Sequence, residues 1–197
     1  MARIVVSEFV SVDGVMQAPG DPDEDPSDGF EHGGWQLSLF DDAIGEFVMG
    51  GLEAAGGFLL GRRTFEIFAA YWPNQPANDP IAAIINAKPK YVASRTLRDP
   101  LEWNASTVLG PDLAAEVGRL RAEPGGDLLV IGSGDLVQTL VREGLVDAYQ
   151  LMIHPLVLGG GKRAFRDGLP RQGLRLTDSR TTPNGIVLLT YEPASGT

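Results

Sequence analysis

The sequence contains no cysteine and two histidines among its 197 residues. The absence of cysteine excludes disulfide bonds, thiol catalysis and zinc sites built on thiolate ligands. His32 and His154 stand far apart and have no neighbours at ligand spacing. Asp21, Asp23 and Asp25 imitate the start of a calcium-binding loop, but proline occupies the sixth position, where that loop needs glycine. We therefore predict no metal site.

The chain also lacks a long apolar run and an excess of positive charge. A membrane-spanning helix needs about 20 predominantly apolar residues, and no stretch of this sequence offers them. The first residues enter a strand-like run without the pattern of a signal peptide. The formal net charge of −10 argues against binding to nucleic acid or to an anionic membrane surface. These absences favour a cytoplasmic protein with neither kind of partner.

Strand-like and helix-like segments alternate along most of the chain. Strands are predicted near residues 3–12, 58–60, 90–94, 107–109, 127–132, 146–154, 174–180 and 186–191. Helices are predicted near residues 40–55, 63–70, 81–87, 112–122 and 136–143, with Gly56 and Gly57 ending the first. Asn184-Gly185, between the last two strands, is typical of a hairpin. This order predicts one α/β domain over residues 1–197, with a mostly parallel sheet and an antiparallel C-terminal hairpin.

Three strand ends carry residues that are suited to binding an anion. They are Gly132, Ser133 and Gly134 after one strand, Gly61, Arg62 and Thr64 after a second, and Ser94, Arg95 and Thr96 after a third. Backbone amides at a helix start bind phosphate, and arginine adds charge-assisted bonds. Because parallel strands direct their carboxyl ends to one edge, the three turns together can bind one polyanion such as NADP. The alternative is three ordinary helix caps with incidental arginines.

These residues and several other motifs resemble the dihydrofolate reductase-like superfamily. The motifs are SVDG (11–14), GRRTFE (61–66), SRTL (94–97), IGSGDL (131–136), GLVD (144–147) and HPLVLGGGK (154–162). The resemblance extends from about residue 4 to residue 192 and is greatest for the branch that contains the C-terminal reductase domain of the riboflavin-biosynthesis deaminase-reductase. It implies a dihydrofolate reductase-like three-layer fold, a homodimer and an NADPH-dependent reductase.

The resemblance also implies the roles of individual residues toward NADPH. Gly61, Arg62 and Thr64 would lie at the cofactor's phosphates. Ser94, Arg95 and Thr96 would bind the adenosine 2′-phosphate. The pyrophosphate-binding helix start would comprise Gly132, Ser133, Gly134, Asp135 and Leu136. Of the two neighbouring arginines, we expect Arg62 at the phosphates and Arg63 elsewhere.

The substrate side is less well defined by the sequence. Asp13 follows a strand end and is the first candidate for the proton donor, and Gly14 beside it is a candidate substrate contact; an Asp-Gly turn is the alternative. Trp35 either stacks on the substrate or packs in the core. Asp42 is the candidate substrate-binding acid, although Asp41 and Glu46 compete for that role. Residues 19–34 are interpreted as a solvated acidic loop.

The substrate expected from the resemblance is a small heterocycle of the pteridine or pyrimidine type. Dihydrofolate and 5-amino-6-(5-phosphoribosylamino)uracil are the two examples. A protein that binds NADPH or another nucleotide without efficient turnover is an alternative from a different class. A flavin-dependent enzyme is a third, because a phosphate-binding turn does not select its nucleotide.

Overall fold

The computed structural model describes residues 1–194, which form eight strands and five α-helices. In chain order these are β1 (Ile4–Ser11), α1 (Asp42–Ala54), β2 (Ala55–Gly61), α2 (Arg62–Tyr71), α3 (Pro80–Ala87), β3 (Lys90–Ala93), β4 (Ser106–Val108), α4 (Leu113–Ala122), β5 (Asp127–Ile131), α5 (Gly134–Arg142), β6 (Ala148–His154), β7 (Leu174–Thr181) and β8 (Val187–Pro193). Short 3-10 turns occupy 27–29, 37–39 and 72–74. None of the helices in this part of the chain has the length and apolar character of a membrane span.

All eight strands join one sheet in the order β4-β3-β2-β5-β1-β6-β8-β7. The first six strands in that order are parallel, whereas β8 runs antiparallel to both β6 and β7. The predicted mostly parallel sheet with an antiparallel C-terminal hairpin is therefore confirmed. Because the six strands are parallel, their carboxyl ends point in the same direction. The residues that follow β1, β2, β3, β5 and β6 therefore lie along one side of the sheet that is perpendicular to its two faces. We call this side the carboxyl edge.

Helices cover both faces of the sheet, as the apolar patterns require. On one face, Val137 and Leu140 of α5 pack against Val6 of β1 and its neighbours. Apolar residues recur on a single face of α5, so the helix can lie flat on the sheet. On the other face, Leu52 of α1 and Phe65 of α2 pack in a second cluster with strands β1, β2, β3 and β5. The two layers hold the ends of β1, β2 and β5 in fixed relative positions.

The prediction that Gly56 and Gly57 end the first helix is wrong. The helix ends at Ala54, and both glycines lie inside β2, next to a register shift between Ala55 and Gly57. A Cβ atom on Gly56 would lie 2.5 Å from the backbone nitrogen of Gly126. These glycines therefore allow the close approach of two backbones and do not serve as a helix stop.

Candidate functional site

Hydrogen bonds join the turns that follow β2 and β5 at the carboxyl edge. The backbone N–H of Gly61 donates to Ser133 Oγ at 2.9 Å, and the backbone N–H of Ser133 donates to Thr64 Oγ1 at 2.9 Å. The Ser133 hydroxyl donates in turn to the carbonyl of Ile131 at 3.0 Å. Two of the three predicted anion-binding turns are thus parts of one structure.

The backbone of the β5 turn requires unusual conformations at two successive residues. Gly132 has a φ of 57° and Ser133 a φ of 59°, both in the left-handed region. A Cβ atom on Gly132 would approach Thr64 Oγ1 to 3.2 Å. Within the described residues, Ser133 makes no side-chain capping bond to α5. Since its hydroxyl accepts a hydrogen bond from Gly61 of β2 instead, the first amides of α5 stay available to a ligand.

Arg166 lies at the same helix start, and no sequence pattern pointed to it. Its guanidinium donates to Asp135 Oδ1 at 2.6 Å, and a Cβ atom on Gly134 would come within 2.9 Å of Arg166 Nη2. Asp135, predicted to bind the cofactor, is therefore ion-paired at the surface. Leu136, predicted for the same role, is buried in the core beneath the turn. Arg166 thus reaches this turn from an irregular segment far along the chain, and its charge is paired with that of Asp135.

The third predicted turn, after β3, is held in place by Ser94. Its Oγ accepts hydrogen bonds from the backbone N–H groups of Thr96 at 3.2 Å and Leu97 at 3.0 Å. Arg95 and Thr96 are exposed. The serine therefore shapes the turn, and the turn directs Arg95 and Thr96 into solvent at the carboxyl edge.

The two neighbouring arginines at the start of α2 have different partners. The Arg62 guanidinium donates to Glu66 Oε2 at 2.9 Å across one turn of the helix, and both side chains are about half exposed. Arg63 lies on the side of the acidic loop, with Nη1 3.9 Å from Asp25 Oδ1. Exposed pairs such as Arg62–Glu66 contribute little, about 0.3 to 0.5 kcal/mol, so Arg62 can exchange its partner for a ligand.

Asp13 joins the end of β1 to the glycine-rich loop at residues 158–161. Its carboxylate accepts from the Ser11 hydroxyl at 2.7 Å and from the backbone N–H groups of Leu158 at 3.1 Å and Gly159 at 2.9 Å. The bond from Ser11, with those from the two amides, lowers the pKa of Asp13 to about 2. At neutral pH the group is ionised and carries no proton to donate. Gly14, beside it, has a φ of 82° and accepts from the Ala164 N–H at 3.1 Å.

An aromatic cluster lies beside the end of β6. Trp35 is buried, its ring centroid is 5.0 Å from that of His154, and its Nε1–H donates to the Gln17 carbonyl at 2.7 Å. His154 is completely buried, its Nδ1 is 2.9 Å from the Met152 carbonyl, and Phe9 flanks its ring. Burial lowers the pKa of His154, although nearby carbonyls oppose the shift. In this structure Trp35 is a packing residue at the inner wall of the carboxyl edge.

Asp41 and Asp42 lie at the start of α1. Asp41 caps the helix by accepting from the Ile44 N–H at 3.0 Å, and it also accepts from the Asn184 N–H at 3.1 Å. Asp42 is exposed in the first turn. The hairpin contact thus involves Asp41, and Asp42 remains the predicted substrate acid without a contact that would distinguish it.

Glu8 is a buried acid that was missed from the sequence. It lies on β1 with 3% of its surface exposed, and among residues 1–194 its Oε1 has no hydrogen-bond partner. Burial raises the pKa of Glu8 well above its usual range, and a bond from the Gly132 backbone only partly opposes this. A buried carboxyl group with a raised pKa therefore lies directly beneath the Gly132 turn.

The acidic loop is fastened to the glycine-rich loop at a few residues, although most of its residues are exposed, as its interpretation as a solvated segment predicts. The side-chain amide of Gln17 donates to the carbonyls of Asp25 and Ser27, both at 3.0 Å, while its Oε1 accepts from the Lys162 N–H at 2.9 Å. Phe30 packs close to Gly161, where a Cβ atom would lie 2.8 Å from its ring. Several other residues of the loop, including Asp21 and Asp23, are exposed as predicted.

No group of three or more histidine, aspartate and glutamate side chains is arranged to hold a metal ion within residues 1–194. The turns at the carboxyl edge carry backbone amides, hydroxyl groups and arginines. The fold and this edge define an α/β protein in which the turns after two adjacent parallel strands, β2 and β5, are hydrogen-bonded into one structure.

The RibD C-terminal domain family matches residues 2–188, and the chain belongs to this family. YyaP of Bacillus subtilis (strain 168) is 34% identical over 136 residues, which cover 68% of this chain and 71% of YyaP. The family membership confirms the resemblance that was inferred from the sequence motifs.

Two solved structures illustrate the shared fold. A putative riboflavin biosynthesis protein from Shewanella sp. PV-4 is 21% identical, with a TM-score of 0.74 over 98% of this chain and 99% of that one. The diaminohydroxyphosphoribosylaminopyrimidine deaminase/5-amino-6-(5-phosphoribosylamino)uracil reductase of Thermotoga maritima is 13% identical, with a TM-score of 0.64. That alignment covers 98% of this chain but 57% of the Thermotoga protein, so the present chain spans little more than half of that length.

Proposed function

We propose that this protein is an NADPH-dependent reductase of a small heterocycle of the pteridine or pyrimidine type, acting as a single domain. The observation that carries the proposal is the hydrogen-bonded pair of turns after β2 and β5, which leaves the start of α5 open beside Arg62. Membership of the RibD C-terminal domain family and the reductase name of the Thermotoga neighbour support the same reaction class.

The residues at the carboxyl edge fit a dinucleotide that carries an extra phosphate. In the proposal, Gly132, Ser133 and Gly134 shape the turn, and the free backbone amides at the start of α5 bind the pyrophosphate while Arg62 supplies charge. The N–H groups of Gly132 and Ser133 are themselves bonded to Glu8 and Thr64. Arg95 and Thr96 bind the 2′-phosphate from the neighbouring turn. When bound, NADPH supplies the hydride. The chain's own contribution is to orient the bound groups and to exclude water.

Asp13 stays in the proposal as a residue beside the reacting groups, but its surroundings favour a positioning role. Asp13 has a pKa of about 2, so it is ionised at neutral pH, and the ionised carboxylate holds the glycine-rich loop in place. The proton that completes a reduction would then come from another group or from solvent. The same observation keeps open the second candidate, a protein that binds NADPH without efficient turnover.

Turnover separates the two candidates. NADPH oxidation is followed by absorbance at enzyme concentrations high enough to detect a slow reaction. The substrates are dihydrofolate, 5-amino-6-(5-phosphoribosylamino)uracil and the same aminouracil without its phosphate. Oxidation that depends on a heterocycle supports the reductase. Tight NADPH binding without reduction of any pteridine or pyrimidine supports the binding protein instead.

The neighbouring arginines provide a matched test of cofactor binding. Arg62→Ala is expected to raise the Kd for NADPH about tenfold, since a lost bond to a charged group costs about 1.5 kcal/mol or more. Arg63→Ala should change the Kd less than about twofold, because its side chain lies toward Asp25. The measurement is a titration that follows nicotinamide fluorescence. Equal effects of the two substitutions would contradict the proposed phosphate contact.

We also propose a homodimer that forms through β7. This strand is at the end of the sheet, all eight of its residues are exposed, and Leu176 leaves 48% of its surface in solvent. An open edge strand with apolar side chains is a template for pairing. Leu176→Asp should raise the dimer dissociation constant at least about tenfold in sedimentation experiments. Leu37→Asp makes the same change at another exposed leucine, which leaves 53% of its surface in solvent outside β7, and is the control. An unchanged constant for Leu176→Asp would exclude this surface.

A further inference from the structure

A cleft separates the acidic loop from the glycine-rich loop. It encloses about 370 Å³ and is lined by Gln17, residues 28–32 and residues 160–162. Its walls are fixed to one another, because Gln17 hydrogen-bonds to both loops. The cleft is therefore a structured recess next to the end of β1 and large enough for a single heterocycle.

The cation in this cleft already has an anionic partner from the chain itself. Lys162 Nζ donates to Asp25 Oδ2 at 2.6 Å and to Ser27 Oγ at 2.6 Å. The Asp25 side chain is 12% exposed, and Arg63 lies on its other side at 3.9 Å. Although burial acts to raise the pKa of Asp25, the bonds from Lys162 and Ser27 and the charges of Lys162 and Arg63 together lower it. Asp25 thus lies between two cations and compensates the charge of Lys162, the one that lines the cleft.

Besides Lys162, the residues that carry a formal charge at pH 7 in the cleft lining are negative, and His32 is counted as neutral. Asp28 and Glu31 line it and are exposed to its interior and to solvent. With Lys162 neutralised by Asp25, a phosphate dianion would meet two carboxylates and a cation that is already paired. Like charges at close range raise the free energy of binding. Lys162 has three N–H donors, of which two are used, so one remains for a carbonyl or ring nitrogen of a ligand.

We infer that this cleft binds a heterocycle without a phosphate group, neutral or positively charged, and that Asp25 is the residue that rejects phosphorylated compounds. The inference rests on the proposed reductase function and specifies its substrate class. It separates this chain from the Thermotoga protein, whose named substrate carries a phosphoribosyl group. Asp25 acts here by compensating the positive charge of Lys162.

A matched pair of probes tests the inference. Binding of 5-amino-6-ribosylaminouracil and of its 5′-phosphate is measured by calorimetry on the full chain without NADPH. We expect the unphosphorylated compound to bind at least about tenfold more tightly, a difference of about 1.4 kcal/mol. Tighter binding of the phosphate, equal binding of the two, or binding of neither would overturn the inference.

Variants of the acidic loop locate the effect. Asp25→Asn should reduce the preference for the unphosphorylated probe at least about fivefold, because it frees Lys162. Asp23→Asn removes the same charge from an exposed position of the same loop and should leave the ratio within twofold. Thermal unfolding checks that each variant is folded. If Asp25→Asn does not fold, the ratio of the two probe dissociation constants in the wild-type protein tests the inference. An unchanged ratio in folded Asp25→Asn would refute the role of Asp25. NADPH titration of the same proteins tests the reductase proposal separately, since loss of cofactor binding would not alter the probe ratio.

Discussion

Arg95→Ala is expected to weaken NADPH binding about 30- to 100-fold while leaving NADH binding unchanged within about twofold. A guanidinium makes charge-assisted bonds to a phosphate, and bonds to charged groups contribute about 1.5 to 3 kcal/mol. NADH lacks the 2′-phosphate, so it has nothing to lose at this position. The turn itself should survive the substitution, because Ser94 holds it through the amides of Thr96 and Leu97.

The control for this prediction is Arg142→Ala. Arg142 is also an exposed arginine, but it is the last residue of α5, whereas the carboxyl edge lies at the first residue of that helix. Both cofactors are titrated against wild type and both variants at one salt concentration, because long-range charge effects depend on ionic strength. A wild-type protein that binds NADPH and NADH equally, or a preference that persists in Arg95→Ala, would remove the 2′-phosphate assignment.

Glu8→Gln is expected to make the stability of the protein less dependent on pH and to raise it at neutral and alkaline pH. Burial raises the pKa of Glu8 in the folded state above its unfolded value. The folded protein therefore holds a proton that the unfolded chain has released. Stability is fully present below the unfolded carboxyl pKa and is lost as the pH rises toward the folded pKa. Each pKa unit between the two states corresponds to about 1.4 kcal/mol.

Urea unfolding at several pH values between about 4 and 9 measures this effect. The wild-type free energy of unfolding should fall more steeply with pH than that of Glu8→Gln, so that the difference between the two proteins grows with pH. Glu143→Gln, a change at an exposed glutamate, should follow the wild-type curve. Parallel curves for wild type and Glu8→Gln would mean that Glu8 has an ordinary pKa in the folded protein.

Much of the fold could be predicted from local patterns. The apolar run at residues 127–131 and the periodic segment after it became β5 and α5, and Asn184-Gly185 became the turn of the β7–β8 hairpin. These elements follow from side-chain alternation and turn chemistry, which act over a few residues. The family could be inferred as well, because its motifs keep their order along the chain.

The position of the candidate site was also predictable, but the contacts inside it were not. Parallel strands bring their carboxyl ends to one edge, so the turns after β2, β3 and β5 had to lie near each other. Ser133 was a plausible helix cap by residue type, yet its hydroxyl accepts from Gly61, 72 residues away. Asp25 was interpreted as solvated, yet it is paired with Lys162 from the far end of the chain.

The sequence by itself determined the order and kind of the elements, the absence of cysteine chemistry and the residue types at each strand end, since all of these are local properties. Tertiary structure alone decided the protonation and the partners of those residues. Glu8 becomes a raised-pKa acid because β1 carries it into the core beneath the Gly132 turn. Asp13 becomes a strongly ionised one because the Ser11 hydroxyl and two amides of the glycine-rich loop donate to it. Electrostatic energies depend on burial and on distances in space, and neither can be read from the order of residues along the chain.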